Sequence, residues 1–380
     1  MNSDLHFDVL ADELVAAFRE GVSTSWSDAR FNEFALRAFA IQYEGCAVYR
    51  RFCDGRGVTP DSLASWQDVP AVPATAWKVM DLVVEADGPP EAVFRTSGTT
   101  RGDAERGRHL VRRLDLYRAS AMPGFRHHVA GQPDGSASGI HLLSLIPPPE
   151  QAPDSSLSSM MGLVAEDLAD STHWLVDADG AFDVARIRDA VRSIRGGESG
   201  RGGPLVVVGT ALALMNVMDA LGDERIELPA GSRLMETGGF KGSGRAIERA
   251  DLYGRVVRSF GVPHDAIVSE YGMTELLSQL YRPGFQAEDA EPLHVPPPWL
   301  RVRALDPTTL DPVESGTPGL LCFHDLANLG SVCSVLTEDM GDVTPRGVKL
   351  LGRVEGSEPR GCSRAMDELM TAHDRLGVRR

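Results

Sequence analysis

Apolar positions recur at intervals of three and four through residues 4–56, in DVLADELVAAF and FNEFALRAFAIQY. That spacing predicts amphipathic helices. Pro60, Pro70 and Pro73 punctuate the stretch that follows. From about Glu91 the texture changes. Short apolar runs (EAVFR, GIHLLSLI, PLVVVGT, SRLME, AIVSEY) alternate with helical patterns such as GRAIERADLYGRVVRSF, a helix expected to start near Gly244. The alternation predicts an α/β sheet whose strands feed helices. Turn formers separate the runs, as in GQPDGSAS, PPPEQAPDSS, RGGESGRGGP and PGFQAEDAEPLHVPPP. After Pro298, WLRVRALDP, GTPGLLCFHDL and GVKLLGRVEG predict short antiparallel strands. The expected organisation is a mainly helical region at 1–90, an α/β core at 91–298, a β-rich part at 299–353 and a short tail at 354–380 that carries Cys362.

Composition narrows the partners. The net charge is −16, which disfavours nucleic acid and anionic membrane surfaces. The longest apolar stretch, LVVVGTALALMNVMDAL, is interrupted by Thr210, Asn216 and Asp219, so it reads as a buried strand entering a helix and not as a membrane span. The N-terminal MNSDLHFDVLADELVAAFRE lacks a basic segment before an apolar core, so no signal peptide is expected. Five cysteines (Cys46, Cys53, Cys322, Cys333, Cys362) form no CxxC pair, which reads as reduced thiols in a cytoplasm. Only three of the 38 basic residues are lysine, namely Lys78, Lys241 and Lys349, so a lysine hints at a need for a compact point charge.

Familiar phosphate, dinucleotide, hydrolase and metalloprotease motifs are absent. The adjacent His127 and His128 are expected to point their rings apart, a poor metal pair. Four stretches carry chemistry instead. TSGTT (Thr96, Ser97, Gly98, Thr99, Thr100) follows the strand-like EAVFR and offers N–H and O–H donors to phosphate oxygens. METGGFKGSG exposes backbone at Gly238 and Gly239 beside Lys241. SEYGMTE supplies a ring at Tyr271, a turn at Gly272, a hydroxyl at Thr274 and a carboxylate at Glu275, a simple Mg²⁺ ligand beside a nucleotide. LTEDMGDVTPRGVKLLGRVEG places Asp339 and Asp342 in an expected turn, ahead of Gly352-Arg353. Taken singly, each also reads as ordinary loop or turn chemistry.

In this order the four stretches resemble the adenylate-forming superfamily of acyl-CoA synthetases, adenylation domains and luciferases. The resemblance implies a multi-layered α/β fold with central mixed sheets and ATP-dependent activation of a small carboxylic acid to an acyl-adenylate. Thr96, Ser97, Gly98, Thr99 and Thr100 would hold phosphates. Gly238 and Gly239 would line adenine, with Tyr271 and Gly272 beside it. Thr274 would touch the α-phosphate, Glu275 would bind Mg²⁺, Asp342 would hold the ribose and Arg353 would approach the ribose or phosphate. TGGFK, PDSSLSSMM and GRVEGSEPRGCS are similar to the long-chain fatty-acid–protein ligase (acyl-protein synthetase) family of bacterial bioluminescence. That implies a fatty acid, self-acylation at Cys362 and an acyl-accepting partner protein. The chain departs from the superfamily at Arg101-Gly102-Asp103-Ala104-Glu105, where glycine and lysine are usual. The 27 residues after Arg353 contain no lysine, leaving Lys241 to clamp the developing charge. Arg360 and Arg364 flank Cys362 and would favour its thiolate on a tail able to swing. Two other readings stand. One sends the acyl group to coenzyme A, a carrier thiol or a small amine. The other is a binder of nucleotide or acyl ligand that performs no chemistry.

Overall fold

Helix boundaries follow capping residues. After α1 (Ser3–Phe18), the Ser27 hydroxyl accepts the Arg30 amide at 3.2 Å and opens α2 (Asp28–Gly45), with α3 (Ala47–Gly55) directly behind it. Such a cap satisfies a donor that the helix itself leaves unpaired. The computed structural model describes residues 3–96, 106–131, 139–196, 204–238, 248–284, 293–353 and 359–376, with side chains from His6 onward.

The chain forms two compact units. The first takes Met1–Ala121, Met273–Gln279 and Val295–Arg380. Besides the three helices it holds β1 (Val72–Pro73), the hairpin of β2 (Ala92–Arg95) and β3 (Arg108–Val111), and most of α4 (Leu114–Gly124).

The second unit takes Met122–Gly272 and Leu280–His294. Its strands are β4 (Ile140–Leu145), β5 (Ala169–Trp174), β6 (Leu205–Thr210), β7 (Arg233–Thr237), β8 (Ile267–Tyr271) and β9 (Leu280–Arg282). They pair in the order β5-β4-β6-β7-β8-β9, parallel except for β9. Crossover helices are α5 (Ser156–Asp167), α6 (Val184–Arg195), α7 (Ala211–Leu221) and α8 (Arg249–Phe260). LVVVG is buried on both faces and runs straight into α7, whose first turn is capped by Thr210. In α6, Ile187, Val191 and Ile194 fall on one buried face, against a cluster that includes Leu143, Val207 and Phe260. Each such side chain contributes about 2 kcal/mol on burial, so Val191→Asp would detach the helix. His127 and His128 differ from expectation. They lie in a π-turn behind α4, with ring centroids 4.6 Å apart in an edge-to-face contact.

The first unit is completed by β10 (Leu300–Leu305), β11 (Gly319–Asp325), β12 (Ser334–Thr344), β13 (Gly347–Arg353) and α9 (Arg360–Asp374). The order β1-β12-β11-β10 is extended by β13 pairing with β12, and only the β1–β12 pair is parallel. Asp339 and Asp342 belong to the long strand β12 and not to a turn, which falls after Thr344. Gly341, between the two aspartates, serves the sheet. A Cβ on Gly341 would lie 2.7 Å from the Lys349 carbonyl oxygen, so glycine permits close strand approach at the bulge.

Candidate active site

The strand pair that leads into and out of TSGTT is tied together at its last described residues. Phe94 pairs with His109 and Arg95 with Arg108 across β2–β3. Beyond the strands, the Thr96 amide donates to the Gly107 carbonyl at 3.0 Å and the Gly107 amide donates to Thr96 Oγ1 at 2.8 Å. Arg106 Nε adds a bond to the Thr96 carbonyl at 2.7 Å. A Cβ on Gly107 would lie 3.1 Å from the Trp77 carbonyl carbon, so a side chain here would be tightly placed. Thr96 therefore ties the strand pair. Ser97, Gly98, Thr99, Thr100 and the departing residues 101–105 lie outside the described residues.

Within the first unit the Met273–Gln279 segment is held at four backbone groups and at the Ser278 hydroxyl. His109 Nδ1 lies 2.7 Å from the Thr274 carbonyl. Asn328 Nδ2 donates to the Glu275 carbonyl at 2.7 Å. The Asp325 carboxylate accepts the Leu277 and Ser278 amides at 2.9 Å each, the Ser278 hydroxyl at 2.6 Å and the Ala327 amide at 3.0 Å. Ser278 Oγ also meets Ser120 Oγ at 2.8 Å, and Ser120 accepts from Trp299 Nε1 at 2.8 Å. Thr274 is half-buried, and Glu275 is buried at 7% exposure. Burial pushes the Asp325 carboxyl up to about 6, against the pull of these hydrogen bonds.

On the sheet of the same unit, Asp342 is half-buried. Its Oδ1 is shielded from solvent and meets no hydrogen-bond donor among the described residues. That orphaned acceptor fits a ribose hydroxyl. Arg353 Nε donates to Asp339 Oδ1 at 3.0 Å and Nη1 sits 3.7 Å from Glu338, so its guanidinium is engaged by carboxylates.

Cys362 is placed differently from expectation. It sits in α9, 2% exposed, packed with Leu305, Leu320, Cys322 and Leu336, and its thiol points to the Thr337 carbonyl at 3.8 Å. Arg364 donates to the Thr309 carbonyl at 3.0 Å and is exposed, as is Arg360. On a helix, residues two apart face away from each other. The side chains of Arg360 and Arg364 are exposed while the thiol is seated in an apolar pocket.

In the second unit, Gly238 follows β7, exposed and at φ +71°, a conformation that favours glycine. Gly239 and Lys241 lie outside the described residues, and the described part of α8 begins at Arg249 and not at Gly244. Tyr271 is half-buried at the end of β8 and Gly272 is exposed. The chain passes from the second unit to the first between Gly272 and Met273. Within the second unit a polar network gathers around the buried Glu236. Arg282 donates to the Tyr253 hydroxyl, which donates to Glu236 Oε1 at 2.8 Å, with Arg249 Nε 3.6 Å from the same oxygen. On the other face of the strands, Thr237 donates to Glu270. Burial pushes Glu270 up to about 7; the Thr237 bond opposes that shift and the nearby Glu236 charge adds to it. The ends of parallel strands are where α/β sheets bind ligands.

The sequence alone assigns no role to His109, Asn328, Asp325, Glu236 or Glu270. None of the five is singled out by residue type or spacing, although Glu236 and Glu270 lie inside two of the stretches that carry candidate chemistry; the burial found here marks them.

A profile of the family described as Acyl-protein synthetase, LuxE matches residues 10–371. The chain is 25% identical over 317 residues to the long-chain-fatty-acid–luciferin-component ligase of Aliivibrio fischeri, covering 82% of this chain and 79% of that one. It is 24% identical over 367 residues to the ligase of the same name from Vibrio harveyi, with 93% and 92% covered. Among solved structures, 2-hydroxyisobutyryl-CoA ligase in complex with 2-HIB-AMP and CoA gives a TM-score of 0.59 at 16% identity, over 87% of this chain and 71% of that one. ATP-bound MatB from Rhodopseudomonas palustris gives 0.46 at 18% identity over 77% of this chain, which spans about half of that protein's length (53%). The expected mixed α/β architecture is thus found, and the chain belongs to the acyl-protein synthetase, LuxE family, on the fold of adenylate-forming enzymes.

Proposed function

We propose that this chain uses ATP to activate a long-chain fatty acid and hands the acyl group onward as a thioester. A carboxylate oxygen attacks the α-phosphorus, the bond to the bridging oxygen breaks, and pyrophosphate leaves with the electron pair. The observation that carries this reading is the anchored Thr274–Glu275 corner, tied by one hydrogen bond to the hairpin that frames the phosphate loop. Its backbone carbonyls are bound internally, which supports side chains held in place for a ligand. Family membership and the two bacterial ligases support the fatty acid as substrate.

No group of three His, Cys, Asp or Glu side chains among the described residues is arranged to hold a metal. Mg²⁺ on a nucleotide needs only one or two protein carboxylates, and Glu275 fits that donor set. When bound, the ion neutralises phosphate charge. Asp342 offers its orphaned Oδ1 to the ribose, and Lys241 is the cation assigned to the developing negative charge.

The acceptor in this reading is Cys362. Its thiolate attacks the acyl carbonyl carbon and displaces AMP, with the thiol proton lost to solvent, before transfer to a partner protein. The burial of Cys362 requires α9 to leave its seat first. The same burial favours a second acceptor reading, in which a diffusible thiol or amine takes the acyl group.

Acid-dependent ATP–pyrophosphate exchange across a panel of fatty acids tests the activation step, and its absence with every acid defeats the proposal. Labelled acid then separates the acceptors. A hydroxylamine-sensitive adduct lost in Cys362→Ser supports self-acylation, whereas equal labelling of that variant rules it out.

A further inference from the structure

His109 sits where two parts of the first unit meet. It pairs with Phe94 across the hairpin and lies two residues beyond Gly107, which is tied to Thr96. The ring is 1% exposed and edge-on to Trp77, with centroids 6.2 Å apart. Trp77 belongs to a 3-10 turn, Ala74–Lys78, that packs against both β3 and β12. The ring plane is thus fixed by its surroundings. The partner of Nδ1 at 2.7 Å is the Thr274 carbonyl, which can only accept, so Nδ1 carries the hydrogen. Burial pushes the imidazole down to about 4, with the Thr274 bond opposing, so the ring is neutral at working pH and is not a proton-transfer group there.

We infer that His109 is a positioning residue of the activation step. Its Nδ1–H fixes the carbonyl of Thr274, and with it the Thr274–Glu275 corner, to the hairpin that frames the phosphate loop. The inference rests on the activation reading above. Displacement of reacting groups by about 1 Å costs on the order of 100-fold in rate. The bond is short, buried and made to backbone, so no side-chain rotation at Thr274 relaxes it.

The donor position supplies the test. An Asn at this site places its amide N–H near the position of His Nδ1, while Gln reaches the position of Nε2. In ATP–pyrophosphate exchange with a fatty acid that the parent accepts, His109→Leu is expected to lose kcat about 30- to 100-fold. KM for ATP should move less than 5-fold, and melting temperature should not track the loss across the series. His109→Asn should recover to within about 5-fold of the parent, and His109→Gln should stay at least 10-fold below it. All three should retain the parent's pH–kcat profile. Should His109→Leu not fold, the Asn and Gln pair decides alone. Equal kcat in Asn and Gln, or a loss in kcat that follows melting temperature through all variants, overturns the inference. So does loss of one limb of the pH profile in His109→Asn, which would make the imidazole a proton carrier. A parent without exchange for any acid defeats the activation reading itself and is recognised before any variant is made.

Discussion

Asp325 and Glu270 are both fully enclosed carboxyls, yet they are built in opposite ways. In the first unit, Asp325 collects two amides and a hydroxyl from the Met273–Gln279 segment and one amide from its own turn. In the second unit, Glu270 receives one bond among the described residues, from Thr237, and feels the charge of Glu236. Burial raises both, Asp325 to about 6 and Glu270 to about 7, so the protein tolerates two carboxyls that resist ionisation. The lesson concerns purpose. A carboxylate whose lone pairs are filled by backbone donors is a bolt. A buried carboxyl with sparse donors at the end of parallel strands keeps capacity for a proton or a ligand.

The comparison breaks most visibly at the bolt. Asp325→Ala is expected to cost ~3–5 kcal/mol in denaturant unfolding, because three buried amides and a hydroxyl lose their acceptor together. Exchange activity should fall more than 100-fold. A loss below ~1 kcal/mol would show that the segment holds without it.

Next in size is the seat of α9. A Cβ on Gly361 would meet Leu310 Cδ2 at 2.5 Å and the Pro307 carbonyl oxygen at 3.0 Å. Leu310 adopts φ +66°, the only positive φ at a non-glycine position among the described residues. Gly361→Ala is expected to cost ~2 kcal/mol by overpacking and to speed labelling of Cys362 by a thiol reagent at least 5-fold. Unchanged labelling would mean that α9 is not what shelters the thiol.

Acid titration sharpens the contrast from the side of the histidines. Burial pushes His324 down to about 3, with the Arg303 charge adding, and neither ring nitrogen has a hydrogen-bond partner among the described residues. His294 is likewise driven to about 3, by burial and then by Arg249 and Arg282. The unfolded chain binds these protons first, near pH 6.5, so stability is lost as pH falls from there toward 3. His324 is boxed by Phe31 and Trp66, both edge-to-face. His324→Phe is expected to gain ~1.5 kcal/mol at pH 5, little at pH 8, and to flatten the acid limb. An unchanged acid limb would remove His324 from the account.

The smallest effect is predicted for the sparse carboxyl. The folded state holds the Glu270 proton more tightly than the unfolded state, so stability falls as pH rises from the usual carboxylate range through about 7. Glu270→Gln should remove that loss and gain about 1 kcal/mol above pH 8. Opposite signs for Asp325→Ala and Glu270→Gln are the signature of the contrast, and matching signs would erase it.

The periodic apolar pattern located most of what is local. EAVFR, SRLME and AIVSEY are β2, β7 and β8, and PLVVVGT feeds α7 through its own threonine cap. These features depend on neighbours in sequence, through side-chain alternation, capping and burial of a continuous face. The ordered polar stretches also pointed to the superfamily, because a nucleotide site needs particular donor types in loops after strands. What the pattern did not contain was distance across the fold. Thr274 meets His109 over a separation of 165 residues, and Asp325 reaches Ser278 over 47. Asp339 and Asp342 read as a turn where they sit in a long strand, and Cys362 read as a thiol on a swinging tail where an apolar seat encloses it. The sequence alone determined which segments become strands, helices and polar loops, since each is fixed by the chemistry of adjacent residues. Only tertiary packing decided which polar groups lose water and which carbonyl each buried donor faces, because desolvation and hydrogen-bond geometry exist only once distant segments meet.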